Sequence, residues 1–276
     1  MKKIRNLTQR SPIIFCLLFM LTVDGIFLGL SNLTQRFPST SLFSAITELI
    51  HIAWPIMLAV LLGFGFVFKT KGFIRTFKVG WIYLALFSAA LLLAIFTKAV
   101  ATGAQWESWD KILVGLLSVI GIGIREEVLY RGVLVNALGL KYAKDAKGLW
   151  LTTLIASILF GFTHITNVFF GVPLVNVLIQ SLGAVGIGIG FVAIYLRGGN
   201  IWFLAIVHTV IDLSSLFEST FLVNNLSDQT AISNLSIGSQ IVQLLIGLAV
   251  ALILLRKSKR KEIFDNFESL RAELEF

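Results

Sequence analysis

Three stretches of this 276-residue chain carry side chains able to move protons or hold an ion. Glu126 and Glu127 stand together, with Arg131 four residues beyond the second. His164 stands alone, and His208 is followed four residues later by Asp212. Residues four apart share one face of a helix. A histidine and a carboxylate so placed can grip one metal ion or polarise one water molecule. By the same spacing Glu127 and Arg131 form an ion pair, and its expected role is structural. Glu126 is five residues from Arg131, roughly 140° away around a helix. It has no partner on its own helix and must face another helix, a metal or water. Glu126, His164, His208 and Asp212 are therefore the candidate catalytic set.

The elements that must position these residues are apolar. Hydrophobic residues make up 57% of the chain and charged residues 14%, and mean hydropathy is +0.88. A soluble domain is about half apolar and a quarter charged. A membrane span takes ~20 mostly apolar residues. Apolar runs fall at 12–30, 49–68, 79–100, 112–140, 149–168, 172–196, 201–217 and 237–255. The fold expected is an all-α, polytopic transmembrane bundle of about eight helices, with no room for a sizeable soluble domain. Residues 1–111 would form the N-terminal spans, 112–217 the core bearing the candidate residues, and 218–276 the last span with a basic tail. The gaps at 140–149 and 196–201 are short, so the helices they join should run antiparallel.

Charge sets the expected orientation. Basic residues concentrate at Lys2, Lys3, Arg5 and Arg10, at 69–78, 141–147, Arg197 and 256–271. Arg36, Lys98 and Lys111 fall on the other side. Basic residues favour the cytoplasmic side. A multi-pass cell-membrane protein with both termini cytoplasmic is expected, and the net charge of +8 needs no nucleic-acid partner. The first run lacks an A-x-A site and reads as an uncleaved span rather than a signal peptide. The glycines at 183, 186, 188 and 190 read as helix packing, since 186 and 190 have the small-xxx-small spacing. Residues 263–276 read equally as a surface helix or a solvated tail. The single cysteine, Cys16, excludes an intramolecular disulfide and cysteine-based metal sites. His51, His164 and His208 are the only candidate nitrogen ligands.

Charges inside apolar spans cost about 2.5–3.5 kcal/mol each at the helix centre, so each needs a reason. A lone histidine can simply bond across helices, and His208 with Asp212 can be a packing pair. All three sets together are harder to explain by packing alone. Depth speaks against a simple convergence, because Glu126, His164 and His208 lie at different distances from the ends of their runs. Tilt, or an overhanging fifth helix, would be needed.

The ordered motifs resemble those of a known family. Glu126-Glu127-Val128-Leu129-Tyr130-Arg131 looks like EExxxR, Phe160 to His164 like FxxxH, and His208 to Asp212 like HxxxN/D. In this order, on separate spans, they are similar to the CAAX prenyl endopeptidase and bacteriocin-processing family of intramembrane proteases (CPBP, or Abi). The resemblance covers about residues 112–217. It implies an intramembrane endopeptidase working near the cytoplasmic face on a membrane-associated peptide or protein, prenylated or carrying a leader. Glu126 would activate the attacking water, His164 would assist, and His208 and Asp212 would bind a metal or stabilise the oxyanion. The family is named for metalloproteases, yet a metal-free glutamate mechanism is also argued for it. Asn replaces Asp212 in the eukaryotic enzymes. An ionised carboxylate cannot donate to an oxyanion, so Asp212 either favours a divalent ion, best zinc, held by His164, His208 and Asp212, or must be protonated. Two rival readings stand beside this one. A proton-coupled transporter would use the same residues, with Asn176, Gln180 and Asn200 lining a path. A bacteriocin immunity or scaffold protein would use none catalytically. Beyond lipid and such a substrate, the sequence implies no partner or oligomeric state.

Overall fold

The computed structural model describes residues 7–34, 40–223 and 237–274. Lys2, Lys3, Arg5 and Arg36 of the charge argument lie outside the described residues. The chain is all-α, with no strand among those residues. Among the described residues the named α-helices are α1 (Pro12–Thr34), α2 (Ser41–Leu61), α3 (Phe73–Ile95), α4 (Trp109–Glu127), α5 (Val135–Tyr142), α6 (Ala146–Thr163), α7 (Leu174–Gly198), α8 (Ile201–Phe221), α9 (Ile237–Leu254) and α10 (Lys257–Glu273). A π-helical segment, Val128–Leu134, joins α4 to α5 without a break. A 3-10 segment, His164–Phe170, follows α6.

Seven helices among the described residues are long and apolar enough to cross a membrane. The eighth long helix, α4 with its π segment and α5, is not among these seven and carries Asp110, Lys111, Arg125, Glu126, Glu127 and Arg131. α2 begins well before the apolar run at 49–68 and α3 before the run at 79–100. α2 is capped, since Thr40 accepts a hydrogen bond from the Phe43 amide at 3.2 Å, whereas Gly72 gives α3 no side-chain cap. Hydropathy reads lipid exposure, whereas capping decides where a helix starts.

Helix packing departs from chain order. α7 and α8 are joined by two residues, Gly199 and Asn200, yet touch little. α7 packs on α6 and α9, and α8 packs on α3 and α4. The first half of α3 lies against both, at the junction. At Gly72, where φ is +90°, an added Cβ would fall 2.6 Å from the Gly198 carbonyl oxygen, so only glycine fits. Asn200 caps α8 through Phe203 N at 3.0 Å and donates to the carbonyls of Lys69 and Thr70. Its amide is thus spent on structure and lines no path. The glycine run serves packing as expected. A Cβ at Gly186 would sit 2.6 Å from Leu244 N on α9.

The C-terminal tail is a docked helix rather than a solvated segment. Ile263 and Phe267 of α10 are buried, and the Phe267 ring lies on Gly139 of α5. Arg271 donates to the carbonyls of Leu140 at 2.7 Å and Ala143 at 3.0 Å, closing the free end of α5. Glu262 pairs with Arg75 and with Arg197, the latter at 2.7 Å. These contacts gather the basic stretches 69–78, 141–147, 197 and 256–271 at one end of the bundle.

Candidate active site

Depth is reconciled by an overhang. Gly123 of α4 packs on Ala205 and Thr209 of α8, and Gly115 packs on Thr220. This register sets Glu126 and Glu127 beside His208, near the start of α8. The rest of the long helix, 128–142, runs past that start and is sheathed by α10 and by the N-terminal turns of α6. Because α6 begins at the level of the overhanging end, its last turn rises only to the height of Glu126. His164 follows there.

His208 is the centre of the polar cluster. Its Nδ1 donates to Glu127 Oε1 at 2.7 Å. Arg131 Nη1 donates to the same oxygen at 2.8 Å. Glu127 and Arg131 are both 0% exposed. The Arg131 guanidinium also lies over the rings of Phe160, at 4.6 Å, and Phe191, at 4.9 Å. The same two rings meet His208 edge-on, each at 5.8 Å. With Nδ1–H committed to Glu127, Nε2 turns to the cavity. It lies 3.4 Å from Glu126 Oε2 and 3.9 Å from Asp212 Oδ2. Asp212 Oδ2 is buried without a hydrogen-bond partner.

His164 joins the cluster from α6. Its Nδ1 donates to the Phe160 carbonyl at 3.1 Å, leaving Nε2 as its basic edge. The Phe160 ring stands 5.2 Å from this imidazole, so one aromatic side chain spaces both histidines. Tyr130, hydrogen-bonded to Thr163, ties the long helix to the end of α6. The π segment turns this stretch inward, and the carbonyls of Arg131 and Gly132 are taken up by the Asn136 amide at 3.1 and 2.8 Å. π turns are frequent at functional sites because they re-aim side chains.

Glu126, His164, His208 and Asp212 all line one cavity of about 410 Å³. Its wall continues through Arg125, Ser118, Gln180, Ser215, Gln240 and Gln243. A second pocket of about 100 Å³ lies on the α1 side, sharing Arg125, Glu126 and His164 and adding Asp24 and Thr166. The structure thus brings together all four candidate residues. It also gives Glu127 a task beyond pairing with Arg131, that of orienting His208. Asp24, Arg125 and Glu48 were missed by sequence reasoning. Asp24 carried the signal that marked Glu126, a charge in the middle of an apolar run. Arg125 stacks on Phe27 at 4.0 Å, a contact no spacing reveals. His51 is buried 3.7 Å from Glu48, outside the cavity lining.

The fit to a metal is partial. A catalytic zinc takes three protein ligands at ~2.0–2.2 Å. Among the described residues, no three His, Cys, Asp or Glu side chains form a group that could hold an ion. Two features do suit one: the unpartnered Asp212 Oδ2, and the carboxylate behind His208 Nδ1, an arrangement common behind metal-bound histidines.

Comparison with known proteins adds a family. Residues 108–214 match the model of the type II CAAX prenyl endopeptidase Rce1-like family. No curated protein and no solved structure matches the chain.

Proposed function

We propose, from the match of residues 108–214 to the Rce1-like type II CAAX prenyl endopeptidase model, that the chain belongs to the CPBP family and is an intramembrane endopeptidase whose water is activated by Glu126. The observation that carries the reading is the Glu126–His208–Glu127–Arg131 chain of contacts opening on a cavity that also holds His164 and Asp212. A water in that cavity is within reach of the Glu126 carboxylate and the His164 Nε2 edge. Glu126 takes a proton as the water oxygen bonds to the scissile carbonyl carbon. The negative charge formed on the carbonyl oxygen is met by a proton on His208 Nε2, held in place by the Nδ1–H bond to Glu127. Glu126 then gives its proton to the departing amine as the C–N bond breaks, which regenerates the carboxylate.

A second reading keeps a divalent ion, favoured by the unpartnered Asp212 Oδ2 beside His208. His208 and Asp212 would hold it, with Glu126 next to them, and it would supply Lewis acidity to the carbonyl oxygen. The steps above run through none.

Comparison of membrane peptides from cells making wild type and Glu126→Gln tests the proposal. Positioned acid–base groups contribute about 10²–10⁴-fold. The variant should keep wild-type abundance and lose at least that much cleavage. Identical peptide sets in the two strains would refute an enzyme and favour the transporter or scaffold readings.

A further inference from the structure

Glu126 faces two compartments of different size. The cavity of about 410 Å³ falls in the range of ligand sites, ~300–1,000 Å³. The pocket on the α1 side, about 100 Å³, is too small for a peptide. It has room for about three water molecules at ~30 Å³ each. Glu126 and His164 line both spaces. The two oxygens of Glu126 have different neighbours. Oε2 lies 3.4 Å from His208 Nε2, and Oε1 lies 3.9 Å from Arg125 Nη2, beyond hydrogen-bond length. The small pocket is also polar. Only Phe27 and Leu28 among its lining residues are apolar, and Asp24, Thr163 and Thr166 add oxygens to the Glu126 and His164 side chains. A buried water is held where two to four polar partners surround it.

Asp24 is the acid at this site that the mechanism leaves unused. It stands near the middle of α1, where a charge is expensive and calls for a function. It also lies outside residues 108–214, so the family match assigns it nothing. Asp24 makes no hydrogen bond or ion pair with a protein group among the described residues. The charges of Arg125 and Glu126, which line the same pocket, act on it. A peptide seated in the larger cavity displaces the water there. The attacking water must then come from the side the peptide leaves open, and Glu126 and His164 both reach that side.

We propose that the small pocket holds the water consumed by the reaction, and that Asp24 is a positioning residue whose carboxylate accepts hydrogen bonds from that water and keeps it within reach of Glu126 Oε1. One water is used per peptide bond. Its oxygen goes to the new carboxyl group and one of its protons passes through Glu126 to the departing amine, so Asp24 neither gains nor loses a proton. The use made of the water rests on the protease reading. Its presence in the pocket does not.

Radiolysis in water labelled with heavy oxygen tests this without a known substrate, because hydroxyl radicals formed from a bound water oxidise the side chains beside it. Leu28 lines the small pocket and not the larger cavity, and Leu216 lines the larger alone. The purified full chain is compared with Asp24→Asn, Asp24→Leu and Thr166→Leu. The last fills the pocket while leaving Asp24 in place. Wild-type abundance and detergent melting are required of each. Heavy oxygen should enter Leu28 in the wild type and in Asp24→Asn, whose carboxamide oxygen still accepts hydrogen bonds. The two leucine variants should lose that label and keep the label at Leu216. Cleavage of the membrane peptides that depend on Glu126 should fall about 10–100-fold in both leucine variants, and Asp24→Asn should recover most of that loss. An unlabelled Leu28 in the wild type overturns the proposal, as does equal labelling in all four proteins. Asp24→Asn cleaving as slowly as Asp24→Leu also overturns it, since the charge rather than the held water then matters. Failure of the protease reading shows separately, as membrane peptides unchanged by Glu126→Gln, and the Leu28 label still decides whether the pocket holds water.

Discussion

Arg131→Met is the most informative single change. It removes the cation from a site where Glu127 and Arg131 are both 0% exposed and leaves the Glu127 carboxylate with His208 Nδ1 as its one partner, at 2.7 Å. Removing one member of a buried pair costs about 3–5 kcal/mol, because the other charge stays desolvated. The guanidinium faces of Phe160 and Phe191 add about 0.5–2 kcal/mol of cation–π contact, part of which the methionine side chain regains as packing. A net loss of about 4 kcal/mol is expected, nearly a thousandfold in the folding equilibrium at 1.4 kcal/mol per factor of ten. The double change Glu127→Leu with Arg131→Met removes both charges together. Apolar replacement of a buried pair is often neutral or better, so the double variant should recover most of the lost stability. Catalysis should not recover, since His208 then has no acceptor for Nδ1–H. Detergent-extracted protein followed by thermal melting gives the stability, and membrane-peptide comparison gives the activity. A double variant as unstable as the single, or one that regains cleavage, would refute this division of labour.

Three further outcomes are expected. Hydrogen bonds from Arg197 first, and the nearby Arg75 charge, hold the Glu262 carboxyl below its usual 4.5; a depressed carboxylate stabilises above its unfolded value and loses that contribution as pH falls through its folded value. With Glu262 42% exposed the contribution is at most about 1 kcal/mol, so amide exchange in α10 should rise modestly below about pH 4, and Glu262→Gln should flatten that rise. Gly139→Leu cannot coexist with the Phe267 ring resting on it, and should expose α10 to limited proteolysis. Metal analysis of the purified, active protein decides the second mechanistic reading: one divalent ion per chain, lost in His208→Ala, would establish it, whereas full cleavage by metal-free protein would remove it.

The sequence made the helical architecture legible because lipid demands long apolar runs, and eight runs became eight long helices. It located Glu126, His164, His208 and Asp212 because a charge or imidazole in such a run stands out. Packing order was hidden. Nothing in the two-residue link Gly199–Asn200 reveals that α3 lies against the junction of α7 and α8, since that depends on a carbonyl cradle for Asn200 made by Lys69 and Thr70. The depth mismatch arose for a related reason. Run edges measure hydrophobicity, and 128–142 is apolar because protein sheathes it, whether or not lipid does. Glu127 was read through its helix partner alone, because an i, i+4 spacing exposes Arg131 while the bond to His208 spans 81 residues.

Energetics argue that the Glu127–Arg131 pair is present for position. A buried pair seldom improves on apolar residues of the same volume, and each charge in a span carries a cost of about 2.5–3.5 kcal/mol. Yet Glu127 Oε1 accepts from both Arg131 and His208. The arginine holds the carboxylate in place, and the carboxylate fixes which edge of His208 meets Glu126. The π segment serves the same end. It breaks the regular i→i−4 ladder beside Glu127, and Asn136 compensates by bonding the released carbonyls while it also reaches the Tyr195 hydroxyl at 2.8 Å. Stability alone would select a straight apolar helix here. What the costlier arrangement secures is an imidazole with one edge bound and the other aimed at a carboxylate lining the cavity, the geometry on which the proposed activation of water depends.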